Sequence, residues 1–187
     1  GNALTRRITQ QPFAGTAAPL EVGGGFHVTA WSLEIAPVNS PVSTTPRLED
    51  YPLRLSDNVR FADLDVNGHV NNAVYSSYFE TGRVMLVRDA ANGLTPTGAS
   101  WVLVRLDTHF RAELHWPGTI ETGLGVLRLG RTSVTFSQVV FSEGRCIAST
   151  QATTVLVDAK TRKPTPLPPS TIEGFQRWMM RGENVVT

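Results

Sequence analysis

The stretch Asn71-Asn72-Ala73-Val74-Tyr75-Ser76-Ser77-Tyr78-Phe79-Glu80-Thr81-Gly82-Arg83-Val84-Met85-Leu86-Val87-Arg88-Asp89-Ala90-Ala91 decides the architecture. Val74, Tyr78 and Met85, with Tyr75, Phe79 and Leu86 beside them, recur at helical spacing. The spacing predicts a helix over 71–91, about 30 Å long at ~1.5 Å per residue. Asn71 or Asn72 can cap its start, and Asn92-Gly93 offers a stop. No proline interrupts it, and no other long helix precedes residue 170.

Strand-like runs surround this helix. Leu53, Leu55, Val59 and Phe61 predict a first strand over 53–61. After the helix come runs over 101–114, 118–129, 132–141 and 145–157, with turns at Gly130-Arg131 and Glu143-Gly144 and a bulge expected at Gly125. A proline-rich stretch then leads to Ser170, which can cap a short helix over 171–180 carrying Ile172, Phe175, Trp178 and Met179. One helix followed by a meander of long antiparallel strands is an α+β pattern. The helix must bury its apolar stripe, and a strongly curved sheet can wrap it.

Composition divides the chain near residue 50. Residues 1–50 are rich in Gly, Pro, Thr and Ala and include Gly23-Gly24-Gly25. Phe26-His27-Val28-Thr29-Ala30 alternates like a strand and continues through Leu33 and Ile35, so the expectation is an N-terminal extension packed on a single main domain, 51–187.

The whole chain of 187 residues is 41% hydrophobic and 18% charged, with a formal net charge of +1. The apolar fraction excludes an intrinsically disordered protein, and the near-neutral balance speaks against a phosphate-neutralising groove, so no nucleic-acid partner is expected. The lone Cys146 excludes an intrachain disulfide framework and a cysteine-based zinc site. No apolar run reaches the ~18 residues a membrane span needs, and the first residues show no n-region and h-region pair. A cytoplasmic protein without membrane association is the expectation.

Chemistry concentrates in Asp63-Leu64-Asp65-Val66-Asn67-Gly68-His69-Val70-Asn71-Asn72, with two carboxylates, three carboxamides and a histidine immediately before an apolar helix. A helix N-terminus presents unpaired N–H groups and a positive dipole end, so a thioester carbonyl oxygen there would have its developing charge stabilised. Asp65 can act as nucleophile or as general base for water, with Asn67 and His69 orienting the reacting groups. Asp, Asn and Gly are equally the residues of any capped turn, and the segment alone leaves both readings open.

The run from Arg60 to Glu80 closely resembles the signature of hot-dog-fold acyl thioesterases, both the 4-hydroxybenzoyl-CoA thioesterase type and the plant acyl-ACP type. The resemblance extends over roughly 51–160, and the turn Leu129-Gly130-Arg131-Thr132-Ser133 looks familial. It implies a hot-dog fold, hydrolysis of an acyl thioester, no cofactor and no metal. Asp65 falls on the catalytic aspartate, Gly68 on the glycine of the turn, and Asn72 where the helix amide polarises the carbonyl. Asn67 and His69 match the plant-type network, and Glu113 falls on its further glutamate. A cysteine follows that glutamate in plant enzymes; here it is Leu114. The resemblance further implies a substrate site taking in Val70, Tyr75 and Phe79, acyl-CoA or acyl-carrier protein as partner, and a homodimer or dimer of dimers. Arg131 is the preferred candidate for a coenzyme A phosphate.

Other features read more plainly. Glu80 is three residues from Arg83 and can pair with it. His109 and His115 lack a matching third ligand, and Cys146 reads as a buried thiol. No G-x-S-x-G elbow, P-loop or G-x-G-x-x-G fingerprint occurs. Two alternatives stand beside hydrolysis: an acyl or acyl-carrier binding module without turnover, and a hot-dog dehydratase or hydratase. The absence of a histidine between Val70 and Ala91 speaks against the latter.

Overall fold

The structure, a computed structural model, describes residues 46–180. The extension expected over 1–50 lies almost wholly outside the described residues, and so does its strand-like stretch 26–35. The described chain forms β1 (Leu53–Asn58), α1 (Asn72–Arg88), β2 (Ala99–Phe110), β3 (Thr119–Leu129), β4 (Ser133–Ser142), β5 (Arg145–Asp158) and α2 (Pro169–Gln176). The strands make one five-stranded sheet in the order β1-β3-β4-β5-β2, antiparallel throughout. This is the expected α+β arrangement, a curved sheet against one long helix.

Helix α1 is shorter than its periodicity predicts. It stops at Arg88 because Asp89 turns to extended backbone and accepts a hydrogen bond from the Ala91 N–H at 2.9 Å, starting a separate 3-10 turn. Gly93, in the left-handed region, ends that turn instead of the helix. The last carbonyls of α1 are satisfied by side chains: Asn92 donates to Leu86 O at 3.0 Å and Thr95 to Val87 O at 2.6 Å. Helix α2 begins at Pro169, whose missing N–H costs nothing at the first helical position, so Pro168 and not Ser170 precedes it.

Strand β2 also ends early, at Phe110, because the Arg111 and Ala112 N–H groups both donate to Ile147 O and the chain leaves the ladder. Its continuation runs back beneath the loop before α1. The β3 irregularity falls between Val126 and Arg128, not at Gly125. Gly123 and Gly125 instead leave room for Tyr51 and Met180 on the convex face.

Two apolar clusters fill the space between helix and sheet. Tyr75, Tyr78 and Phe79 pack with Val59, Ile120, Val140 and Ile147, while Leu86 packs with Leu124, Phe136, Leu156 and Phe175. Full burial of a side chain such as Phe79 contributes about 1.5–3 kcal/mol. Strands β3, β4 and β5 are buried on much of both faces, because Tyr51, Val139, Phe141 and Cys146 form a further cluster on the convex side. Cys146 is thereby inert, its thiol pushed up by burial. Among the described residues no helix is long and apolar enough to cross a membrane.

Candidate active site

The loop between β1 and α1 is built from its own polar side chains. Asp63 accepts from the Arg60 N–H at 2.8 Å, and Leu64 pairs with Val70 as an isolated bridge. Between these, the Asp65 N–H donates to His69 O at 3.0 Å and the Gly68 N–H to Asp65 O at 3.1 Å, which closes a tight turn. Gly68 sits at φ +82°, a conformation an L side chain rarely adopts.

That closure folds the Asp65 carboxylate back over the turn. Its Oδ1 accepts from the Asn67 main-chain N–H at 2.7 Å, and its Oδ2 lies 3.4 Å from Asn67 Nδ2 and 3.7 Å from His69 Nδ1. The Asp65 side chain is 18% exposed and that of His69 26%, so both are sheltered yet reachable by solvent.

Helix α1 starts immediately beyond. Asn71 is the cap: its Oδ1 accepts from the Ala73 N–H at 2.9 Å and its carbonyl from the Val74 N–H at 2.9 Å. The Asn72 N–H has no hydrogen-bond partner among the described residues, which leaves one donor free at the positive end of a 17-residue helix.

Two supports hold the loop. Val70 N–H donates to Leu114 O at 2.8 Å, and His115 Nδ1 lies 3.3 Å from Gly68 O. From the helix side, the Tyr78 hydroxyl donates to Asp63 Oδ2 at 2.7 Å. Burial, reinforced by the Asp63 carboxylate, drives the Tyr78 phenol above its ordinary range.

The sequence-expected residues divide accordingly. Asp65, Asn67, Gly68, His69 and Asn72 come together in one loop and helix start. Glu113 is reached through His115: Glu113 Oε2 is 3.5 Å from His115 Nε2, and the His115 and His69 rings are 6.4 Å apart. Val70 and Phe79 are core residues, 3% and 0% exposed, so their side chains line no open surface in this chain. Tyr75 is buried edge-on against Phe110, with ring centroids 5.2 Å apart. Arg131 is exposed in the β3–β4 turn, at the far end of an 11-residue strand from Thr119. That strand spans about 35 Å at ~3.3 Å per residue, so Arg131 is remote from the Asp65 turn.

Glu80 is exposed and makes no ion pair with Arg83, which turns inward to Gln138. His109 lies by Asp107 and His115 by Glu113, and among the described residues no three His, Cys, Asp or Glu side chains gather as a metal site. Asp63, Tyr78 and His115 were not expected at the site. Asp63 is indistinguishable in sequence from its neighbour Asp65, and the other two arrive through long-range packing.

A five-stranded antiparallel sheet wrapped on one long helix is a hot-dog fold. The comparisons with known proteins agree. The family model of the thioesterase-like superfamily matches residues 59–178, and the chain belongs to that superfamily. The crystal structure of the PA5185 protein from Pseudomonas aeruginosa strain PAO1 is similar at 26% identity and a TM-score of 0.67, covering 74% of this chain and 99% of that one. A thioesterase from Thermus thermophilus, solved in complex with coenzyme A and Zn, is similar at 27% identity and a TM-score of 0.60, covering 67% and 98%. The DHNA-CoA thioesterase from Staphylococcus aureus shares the fold at 17% identity, with a TM-score of 0.59 and coverage of 66% and 88%. Among the curated proteins, none matches the sequence. Thioester hydrolysis is therefore the general activity that family and fold support.

Proposed function

We propose that the protein hydrolyses an acyl-CoA, with Asp65 as the activating carboxylate and the Asn72 N–H as oxyanion donor. The observation that carries this is the folded turn, which fixes Asp65 by a 2.7 Å main-chain bond just ahead of the unbonded first N–H of α1. Water, deprotonated by Asp65 as it attacks, adds to the thioester carbonyl carbon. The carbonyl oxygen takes up negative charge against the helix N–H. Collapse breaks the carbon–sulfur bond, and the proton held by Asp65 passes to the departing thiolate. Direct attack by Asp65 would instead form an anhydride that water then opens; opened at the Asp65 carbonyl in a single turnover in labelled water, it leaves the label in Asp65 rather than in the first product. Asn67 and His69 hold the carboxylate in place.

Coenzyme A is preferred over acyl-carrier protein as the thiol because the similar Thermus thermophilus enzyme was solved with coenzyme A. The working unit is a homodimer paired along β2, an edge strand exposing Leu103, Val104 and Phe110. Arg131, remote from the Asp65 turn of its own chain, could meet a coenzyme A phosphate only across such a dimer.

A thiol-release assay over acyl-CoAs of increasing length, beside one acyl-carrier substrate, tests this reading. Saturable binding without thiol release would place the protein among binding modules, and hydration of an enoyl thioester would make it a hydratase. Sedimentation as a monomer would remove the dimer.

A further inference from the structure

Beyond the Asp65 turn, a cavity of about 330 Å³ opens between the second half of α1 and strand β2. Its walls carry an unusual set of groups. Arg83 is only 6% exposed, yet among the described residues its one hydrogen bond is Nη1 to Gln138 Oε1 at 2.7 Å and no carboxylate pairs with it. Trp101 and Thr154 belong to the walls of the same cavity, and Trp101 Nε1 and Thr154 Oγ1 are buried with no hydrogen-bond partner among the described residues. Thr154 is 6% exposed. Such groups cost free energy when left unmatched, and a buried charge costs most. Burial lowers the Arg83 pKa while Glu80, exposed at the rim, raises it; Arg88 stands at the rim as well.

Every unmatched group here can donate. A guanidinium and an indole N–H are donors only, and a threonine hydroxyl donates or accepts. Their complement is an anionic oxygen group, with a carboxylate matching the planar fork of arginine. The remaining wall mixes apolar Val84, Leu103 and Phe136 with the hydroxyl residues Thr95 and Ser100.

The cavity also stands in line with the reaction. Glu80 at its near rim is eight residues past Asn72, about 12 Å along the axis at ~1.5 Å per residue. Between them the helix presents exposed small side chains, Ala73, Ser76 and Ser77, which leave a path along its surface. We infer that this cavity receives the far end of the acyl group, and that the substrate is the thioester of a dicarboxylic acid whose free carboxylate is bound by Arg83, Trp101 and Thr154. This rests on the thioesterase reading above and adds the substrate class.

The test compares decanoyl-, dodecanoyl- and tetradecanoyl-CoA with sebacoyl-, dodecanedioyl- and tetradecanedioyl-CoA in the thiol-release assay. At the best chain length the carboxylated substrate is preferred by at least about tenfold in kcat/KM, as a charge-assisted bond to a buried arginine implies. Arg83→Met abolishes that preference. Because removal of Arg83 also strands Gln138, the decisive variant is Trp101→Phe with Thr154→Val, which deletes two donors that hold nothing within the fold. In it the ratio of carboxylated to plain substrate falls several-fold.

Equal rates for the two series in the wild type overturn the inference and leave the hydrolase reading intact, as does a preference that the double variant leaves undiminished. A free acyl carboxylate and a coenzyme A phosphate share the same chemistry, so binding of free coenzyme A is measured in parallel. Its weakening in the variants without change in the substrate ratio assigns the cavity to phosphate and overturns the acyl assignment. If no acyl-CoA is hydrolysed, the hydrolase reading fails. Calorimetry with suberate and octanoate then decides the cavity by itself: tighter suberate binding that the double variant loses supports it, and equal binding overturns it.

Discussion

The Tyr78 hydroxyl donates to Asp63 Oδ2 across 2.7 Å, in a position where both residues are buried, and so ties the second turn of α1 to the loop that carries Asp65. Asp63 has one other donor on that oxygen, the Arg60 N–H at 2.8 Å, and its own carbonyl accepts from the Asn71 N–H at 2.9 Å. The strut thus connects helix core, loop and helix cap. Tyr78→Phe keeps the ring and removes the bond, stranding part of a buried carboxylate. The expected cost is about 1–3 kcal/mol in chemical denaturation. Thiol release should fall as well, through kcat, because the turn loses its fixed register against α1. A variant of unchanged denaturation midpoint would show that the bond holds nothing.

Asp65→Asn separates chemistry from architecture. An asparagine Oδ1 can still accept the Asn67 N–H that Asp65 Oδ1 accepts at 2.7 Å, so the turn should survive. What is lost is the proposed base. Thiol release on the best acyl-CoA should drop by about 10²–10⁴-fold with the melting temperature nearly unchanged. Full activity in this variant would end the assignment of Asp65.

Much of this arrangement is legible in the sequence. The helical spacing of Tyr75, Tyr78, Phe79 and Leu86 locates α1, and the alternating runs locate the sheet, because burial on one face imposes those spacings; Met85, read into the same stripe, is exposed. Their ends are not legible where long-range bonds set them: β2 stops at Phe110 because Arg111 and Ala112 turn to Ile147 O, on a strand 36 residues further along. The site divides in the same way. Asp65, Asn67, His69 and Asn72 are local, and their density marks them. Asp63 and Asp65 look alike in sequence, yet one accepts from Tyr78 within the core and the other faces the turn. Nothing local announces that Leu114 supports Val70 or that His115 approaches Gly68, since those contacts exist only once the sheet has brought the two loops together.

Two glycines should respond differently to alanine. At Gly68 an added Cβ would meet nothing within 4 Å, so the cost comes from its φ of +82° alone. Gly68→Ala should lose about 1–2 kcal/mol, with thiol release falling as the turn relaxes. At Gly123 the Cβ would lie 2.7 Å from Tyr51 Cγ and 2.9 Å from Val139 Cγ2. Gly123→Ala must displace a buried ring and should cost about 1–3 kcal/mol by overpacking, on a surface remote from the Asp65 turn. Denaturation midpoints and thiol release, measured together, should show stability falling in both variants and activity chiefly in the first.

The buried phenols set the alkaline limit. Burial raises the Tyr75 phenol to about 12, and burial likewise raises Tyr51 to about 12 against the lowering effect of its hydrogen bond with Ser137, both from an ordinary value of 10.0. A phenol whose folded pKa is raised favours the fold while it is neutral. Its contribution is therefore complete below pH 10 and is lost as pH climbs toward 12. The melting temperature should hold steady up to about pH 10 and then decline. Tyr75→Phe keeps the edge-on ring packing against Phe110 and Tyr78 while removing one of the ionising groups. Its melting temperature should fall less steeply than that of the wild type between about pH 10 and 11.5. Thermal scans at half-unit pH steps read this directly, and parallel curves for the two proteins would show that Tyr75 ionises as freely in the fold as in the unfolded chain.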